Sequence, residues 1–408
     1  MGSLSILQPR RLLLCLLAAL PANAALAQTL ATTVPLILPT AIAYDPQGNL
    51  YLAETANHTV RKVDSAGHIT IVAGTGTQGF DGDGGQATAA LLDSPQGLAA
   101  DSASLYIADT HNHRIRKVDL TRGIIITIAG SSKVGSAGDS GLATSATLDT
   151  PTALTLDNKG NLYLADIGSH CIRRTAPATG TISTVAGTGT QGFAGDGSVA
   201  TAALIDSPGG LAVDSNGNLY LADTHNHRIR RIDAVTGAIT TVAGNGAQGF
   251  TGDSNSATAA RLSLPHGLSI DPQGNVNVSD TANHRIRRID ASTGKITTIA
   301  GDGTQAFAGD GSAAIGASLN SPRSTSLSPT GAVTIADTGN QRIRQIASDT
   351  SLQTVAGLGA TTPGVLTLSG PAVVSYGGGK LTATLSSATT AVGSITFLDG
   401  YTQAHRTQ

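Results

Sequence analysis

Apolar and polar positions alternate with a period of two through most of the chain, in short runs broken by Gly, Asn and Asp. That period marks strands rather than helices. From Pro208 onward it predicts strands at 211–213, 218–222, 228–232 and 239–243. Ser215-Asn216-Gly217 and Thr236-Gly237 between them read as hairpin turns, where Gly supplies the positive φ. Asp223 to His227 reads as a polar connection. The same pattern restarts at Pro39, Pro95, Pro151, Pro208, Pro265 and Pro322, at spacings of 56, 56, 57, 57 and 57 residues. A fixed period of this length is an array of one supersecondary unit. Four short antiparallel strands cannot bury both faces alone, and radial repetition solves this. The expected fold class is therefore all-β, a six-bladed β-propeller of four-stranded antiparallel blades.

The repeat divides the chain into a lead-in at 28–38 and blades at 39–94, 95–150, 151–207, 208–264, 265–321 and 322–359. Strand order from the axis outward puts the second-to-third-strand connections on one face with the crossings between blades. The hairpins fall on the other face. The crossings are long, as in GTGTQGFAGDGSVATAALIDS at 187–207, and loops of this length usually carry structure or function. GDGxxATxAxL predicts an Asp-Gly turn entering about two turns of helix. Asp83, Asp139, Asp196, Asp253 and Asp310 recur there. Calcium needs six to eight oxygens. One or two acids per loop instead suit an Asp accepting backbone N–H groups at a turn or helix start.

The segments ETANHTVRKV, DTHNHRIRKV, DIGSHCIRRT, DTHNHRIRRI, DTANHRIRRI and DTGNQRIRQI begin at Glu54, Asp109, Asp166, Asp223, Asp280 and Asp337. Asn-His followed by alternating Ile and Arg resembles the NHL repeat. The TVAGTGTQGFAGDG crossings resemble its long-loop form in teneurins and in exported bacterial proteins. The resemblance implies the propeller fold; NHL propellers include scaffolds, RNA binders and a few enzymes. The leading acid and the arginine of the third strand (Arg61, Arg116, Arg173, Arg230, Arg287 and Arg344) stand in all six units. Buried charges persist when paired, so these read as architecture. The recurrent histidines (His58, His113, His170, His227 and His284) lie one per blade and cannot converge on zinc.

Asymmetry between units is the better guide to a site. The first position of the innermost strand, directly after each marker proline, is Thr40, Gln96, Thr152, Gly209, His266 and Arg323 in turn. His111 and His225 add a second histidine to two connections. Gln96, His266, Arg323, His111 and His225 are therefore the candidate ligand contacts around the channel mouth, with Arg323 suited to an anion. Some six-bladed propellers are lactonases or lyases with an axial metal. Here the first strands carry no carboxylate, so no catalytic residue, metal ligand or cofactor is assigned. A non-catalytic binding scaffold is expected, with a channel enzyme as the alternative.

Composition narrows the setting. Arg10 and Arg11, the apolar run from Leu12 to Leu20, and Ala25-Leu26-Ala27 have the layout of a signal peptide at 1–27, cleaved before Gln28. Beyond it stands one cysteine, Cys171, in a position other units give to arginine. It reads as an inert substitution. A net charge of −2 and 13% charged residues give no basic field for nucleic acid. No membrane span is expected in the mature chain. The expected location is secreted, periplasmic or cell-surface, and the expected partner an extracellular or cell-surface protein or glycan. After a linker at 360–364, residues 365–408 resemble the first half of a bacterial Ig-like domain, with strands at 381–385 and 394–397. A complete sandwich takes ~100 residues.

Overall fold

The computed structural model describes residues 29–358, 372–377, 380–387 and 390–398. The signal segment and the linker lie outside them. Six four-stranded antiparallel sheets form, each from four consecutive strands. In the fourth blade these are Pro208–Val213, Leu219–Asp223, Arg228–Ile232 and Ile239–Ala243. The hairpin between the first two is closed by Asp214, whose carboxylate accepts the backbone N–H and the side-chain amide of Asn218 at 2.9 and 2.8 Å. Gly217 takes the φ of +85° that this turn requires.

The core lies between blades. Tyr51, Ala53 and Val60 of the first blade pack with Leu98, Leu105 and Ile107 of the second. Equivalent clusters occupy the other interfaces. At the last one, Ile42, Leu50 and Leu52 meet Ala336, Ile343 and Ala356 and close the ring.

The crossings hold less helix than the sequence suggests. Ala200–Ala202 is a single 3-10 turn, and its counterparts elsewhere are equally short. The next blade competes for the backbone. Ala200 donates to Gly237 O at 2.9 Å and Gly197 to Ile239 O at 2.8 Å. Those bonds lay the crossing along the neighbour's outer hairpin, and Ala203 is already extended.

Closure uses the lead-in. Among the described residues, no propeller sheet borrows a strand from the other end of the chain. Instead Ala31–Thr33 forms the same 3-10 turn as Ala87–Ala89. Ala31 N donates to Gly67 O at 2.8 Å and Ala31 O accepts from Gly357 N at 3.0 Å. Ala87 makes the matching pair with Gly123 O and Gly74 N. The lead-in is thus the second half of a sixth crossing. The side-chain hydroxyl of Thr338 completes the circle by donating to Pro39 O at 2.7 Å.

Residues 360–408 form a separate compact unit. Its described strands, Ala372–Gly377, Lys380–Ser387 and Thr390–Leu398, make one antiparallel sheet.

Candidate functional site

The repeated acids and arginines sit inside the ring. Arg230 and Asp223 are both fully buried. Arg230 Nη1 donates to Leu204 O at 2.8 Å, and Nη2 to Ala194 O at 2.9 Å and Asp196 Oδ1 at 2.8 Å. Its Nη1 also meets Asp223 Oδ2 at 3.4 Å. Asp223 Oδ1 accepts from Asp206 N and Asn226 Nδ2, both at 2.8 Å. The crossing acid therefore does not cap its own turn. Asp196 reaches forward to the arginine of the following blade, and its other oxygen accepts Thr241 N at 3.1 Å. Asp83, Asp139, Asp253 and Asp310 pair in the same way with Arg116, Arg173, Arg287 and Arg344. Desolvation pushes the carboxyls of Asp109, Asp223, Asp280 and Asp337 up to about 6, against the pull of their amide, backbone and arginine donors. Asp166 rises to about 7. There Ser169 replaces the asparagine donor and Oδ2 is left unpaired.

The first blade varies this scheme. Its arginine, Arg61, pairs with Glu54. Glu54 Oε1 accepts Ile37 N of the lead-in at 2.9 Å.

Each recurrent histidine lies in the left-handed region, with φ between 47° and 54°. Its Nδ1 accepts the backbone N–H that precedes the next blade's proline, as in Leu264 N to His227 at 3.2 Å. The outer arginine of the third strand stacks on a crossing phenylalanine. Arg228 lies 3.7 Å from the Phe193 ring centre, Arg114 3.9 Å from Phe80, and Arg285 and Arg342 3.8 Å from Phe250 and Phe307. Cys171 replaces that arginine where Ser136 replaces the phenylalanine. Burial pushes its thiol up to about 12, which leaves no thiolate at neutral pH.

The first strands meet around a small axial cavity of about 80 Å³, room for a few waters. Its upper tier holds Thr40, Gln96, Thr152, Gly209, His266 and Arg323. Deeper down, Ile42, Leu98, Leu154, Leu211 and Leu268 make an apolar floor, broken by Thr325. Three of the expected contacts, Gln96, His266 and Arg323, thus share one cup. His225 adds charge repulsion at His266 from the rim, and its own Nδ1 lies 3.4 Å from Asp206 Oδ1. His111 makes the equivalent approach to Asp93 at 3.5 Å. No group of three or more acid, histidine or cysteine side chains suited to a metal occurs among the described residues.

The His266 ring lies over the space a Cβ on Gly209 would fill, 2.8 Å from that point. Loss of water and the nearby Arg323 charge pull its pKa down to about 4. A histidine with a depressed folded pKa adds stability above its unfolded value of about 6.5, and that stability is lost as pH falls toward the folded value. Relative to His266→Gln, the wild-type urea midpoint should therefore fall between pH 7 and pH 4.5. Parallel curves for the two proteins would place the imidazole in water.

The NHL repeat model matches residues 92–118, 206–232 and 262–289. Protein SUPPRESSOR OF QUENCHING 1 of Arabidopsis thaliana is 32% identical over 64% of this chain and 26% of its own length. Human NHL repeat-containing protein 2 is 29% identical over 61% of this chain and 38% of its own, and mouse teneurin-4 35% identical over 61% and 10%. The chain thus spans well under half of these relatives. Among solved structures, an auxiliary nutrient binding protein from Bacteroides thetaiotaomicron superposes with a TM-score of 0.56 at 18% identity, covering 78% of this chain and 75% of that one. These likenesses, with the six blades, show a β-propeller fold in which three segments match the NHL repeat.

Proposed function

We propose that this NHL propeller is an exported, non-catalytic binding scaffold, and that it engages its partner on the crossing face around the axis. One observation carries the reading. The acids and arginines common to every unit are consumed by architecture, whereas three residues that break the repeat, Gln96, His266 and Arg323, share the axial cup, His225 acts on His266 from beside it, and His111 stands on the equivalent connection of the second blade. Arg323 is exposed, and the His111 and His225 side chains are each 53% exposed. A cup of about 80 Å³ is well below the ~300 Å³ of an ordinary ligand pocket, which favours surface recognition over an enclosed substrate. The nutrient-binding relative of the same fold is in keeping with a binding role. The basic and apolar segments before Gln28 support export. The expected partner is an extracellular or cell-surface protein or glycan.

The test is capture from the extracellular fraction on immobilised protein, beside a His111→Ala/His225→Ala/Arg323→Ala variant of equal thermal stability. A partner held by the wild type and lost from the variant supports the face. Equal capture by both would move the binding surface elsewhere. N-terminal sequencing of the exported chain should begin at Gln28; an intact intracellular chain would overturn export.

A further inference from the structure

The outer groove between the second and third blades breaks the repeat at several places at once. Tyr106, Lys117 and Ile126 stand in register across three strands of the second blade. They line the groove together with Leu162 and Thr175, a registered pair of the third. The place of Ile126 is held in the other blades by Thr70, Ser183, Thr240, Thr297 and Gln353. Thr175 replaces a side chain that is valine or isoleucine elsewhere, as in Val118 and Ile232. Ala176, the next residue, replaces the aspartate that four units carry as Asp64, Asp119, Asp233 and Asp290. Leu142, on the crossing that borders the groove, is 60% exposed and Ile126 45%. With Ile128 and Pro177 these residues enclose about 360 Å³, within the range of an ordinary small-molecule pocket.

We propose that this groove binds a small amphipathic monocarboxylate, with its carboxylate at Lys117 and the Thr175 hydroxyl and its aryl or alkyl body against Ile126, Leu142 and Leu162. The charge follows from the lining, where Lys117 is the cation and no carboxylate is among the described residues. In the groove between the first and second blades, Lys62 shares the lining with Asp45 and Asp119. Between the fifth and sixth, Arg288 is tied to Asp271 at 2.5 Å. The acid on the second blade's own hairpin, Asp101, is taken up by the Tyr106 hydroxyl at 3.2 Å and by Ala103 N and Ser104 N, both at 2.8 Å. Lys117 Nζ lies 5.6 Å from the centre of the Tyr106 ring, a cation–π contact that uses none of its N–H donors. The apolar body follows from the exposed Ile126 and Leu142, which a ligand would cover. An apolar cavity of roughly 150 Å³ takes benzene, so this larger groove admits a body of about six to nine carbons. It lies by the turns at Gly160 and Gly180, apart from the axial cup, and the assignment is independent of any partner bound there.

Octanoate and 3-phenylpropionate, with 3-phenylpropanol and acetate as comparisons, should be titrated into the full chain by calorimetry and thermal shift. Either long acid should raise Tm, and phenylpropionate should bind about tenfold more tightly than the alcohol of the same shape, the worth of one charge-assisted hydrogen bond. Acetate, which lacks the apolar body, should bind at least about tenfold more weakly than either. Lys117→Gln should bring phenylpropionate down to the level of the alcohol. Ala176→Asp restores the residue that four other units carry, so it keeps the test usable if Lys117→Gln fails to fold; it should likewise remove the preference for the acid. Leu142→Gln, which copies Gln86 of the preceding crossing, should weaken acid and alcohol alike. Absence of any shift at ~10 mM acid, equal affinity for the acid and the alcohol, or full acid affinity in Lys117→Gln or Ala176→Asp would overturn the proposal.

Discussion

Replacing Arg230 with methionine should destabilise the ring by about 3–5 kcal/mol, the cost of stranding a buried charge. Two carboxylates and two carbonyls depend on that guanidinium: Asp223 and Asp196, Leu204 and Ala194. Asp223 is fully buried, so losing the arginine leaves it without its cation. Arg231→Met is the control. That arginine is 33% exposed and pairs with the partly exposed Asp233, so its loss should cost under about 1 kcal/mol. Adding Asp223→Asn to Arg230→Met should recover part of the deficit, because no charge is then orphaned. Urea midpoints for the variants decide this; an unchanged midpoint in Arg230→Met would show that the buried set contributes nothing net.

A second large effect is expected at the axis. A Cβ on Gly97 would lie 1.7 Å from Thr152 O, and one on Gly210 1.8 Å from His266 O. Both obstacles are backbone of the neighbouring blade, which cannot swing aside as a side chain could. Gly97→Ala should force the second and third blades apart and cost about 3 kcal/mol, the upper part of the usual range for overpacking. The first and third units carry Ala41 and Ala153 at this place, so alanine is no misfit to the strand itself. Wild-type stability in Gly97→Ala would mean that the first strands have slack around the axis.

The blades were legible because every unit writes the same alternation and the same turns. Contacts between units were harder to read. An aspartate in a Gly-rich loop looks the same locally whether it closes its own turn or reaches Arg230 across a blade boundary, as Asp196 does. The phenylalanine stack left a usable trace, since Ser136 and Cys171 replace both of its members together. The lead-in left another, because Ala31-Thr32-Thr33 repeats Ala87-Thr88-Ala89 at the unit spacing. Among candidate site residues, His266 and Arg323 stood out as charged or titratable side chains at a position otherwise held by small or neutral ones. Asn277, Ser279 and Thr325 passed as ordinary strand residues. Their burial, with Asn277 Oδ1, Ser279 Oγ and Thr325 Oγ1 unpaired, is visible only in the structure.

Closure through the lead-in sets an order on folding. Ala31 is made early, yet its carbonyl partner is Gly357 at the far end of the ring. Until the sixth blade arrives, the sheet face formed by Ile42, Leu50 and Leu52 has nothing to cover it, and Ala336 and Ile343 await the same contact. Pairings this distant in sequence are slow to form and leave apolar surface open to other chains meanwhile. The six-fold ring is therefore most vulnerable to aggregation at its single noncovalent seam, in the interval between finishing the last blade and docking it on the first.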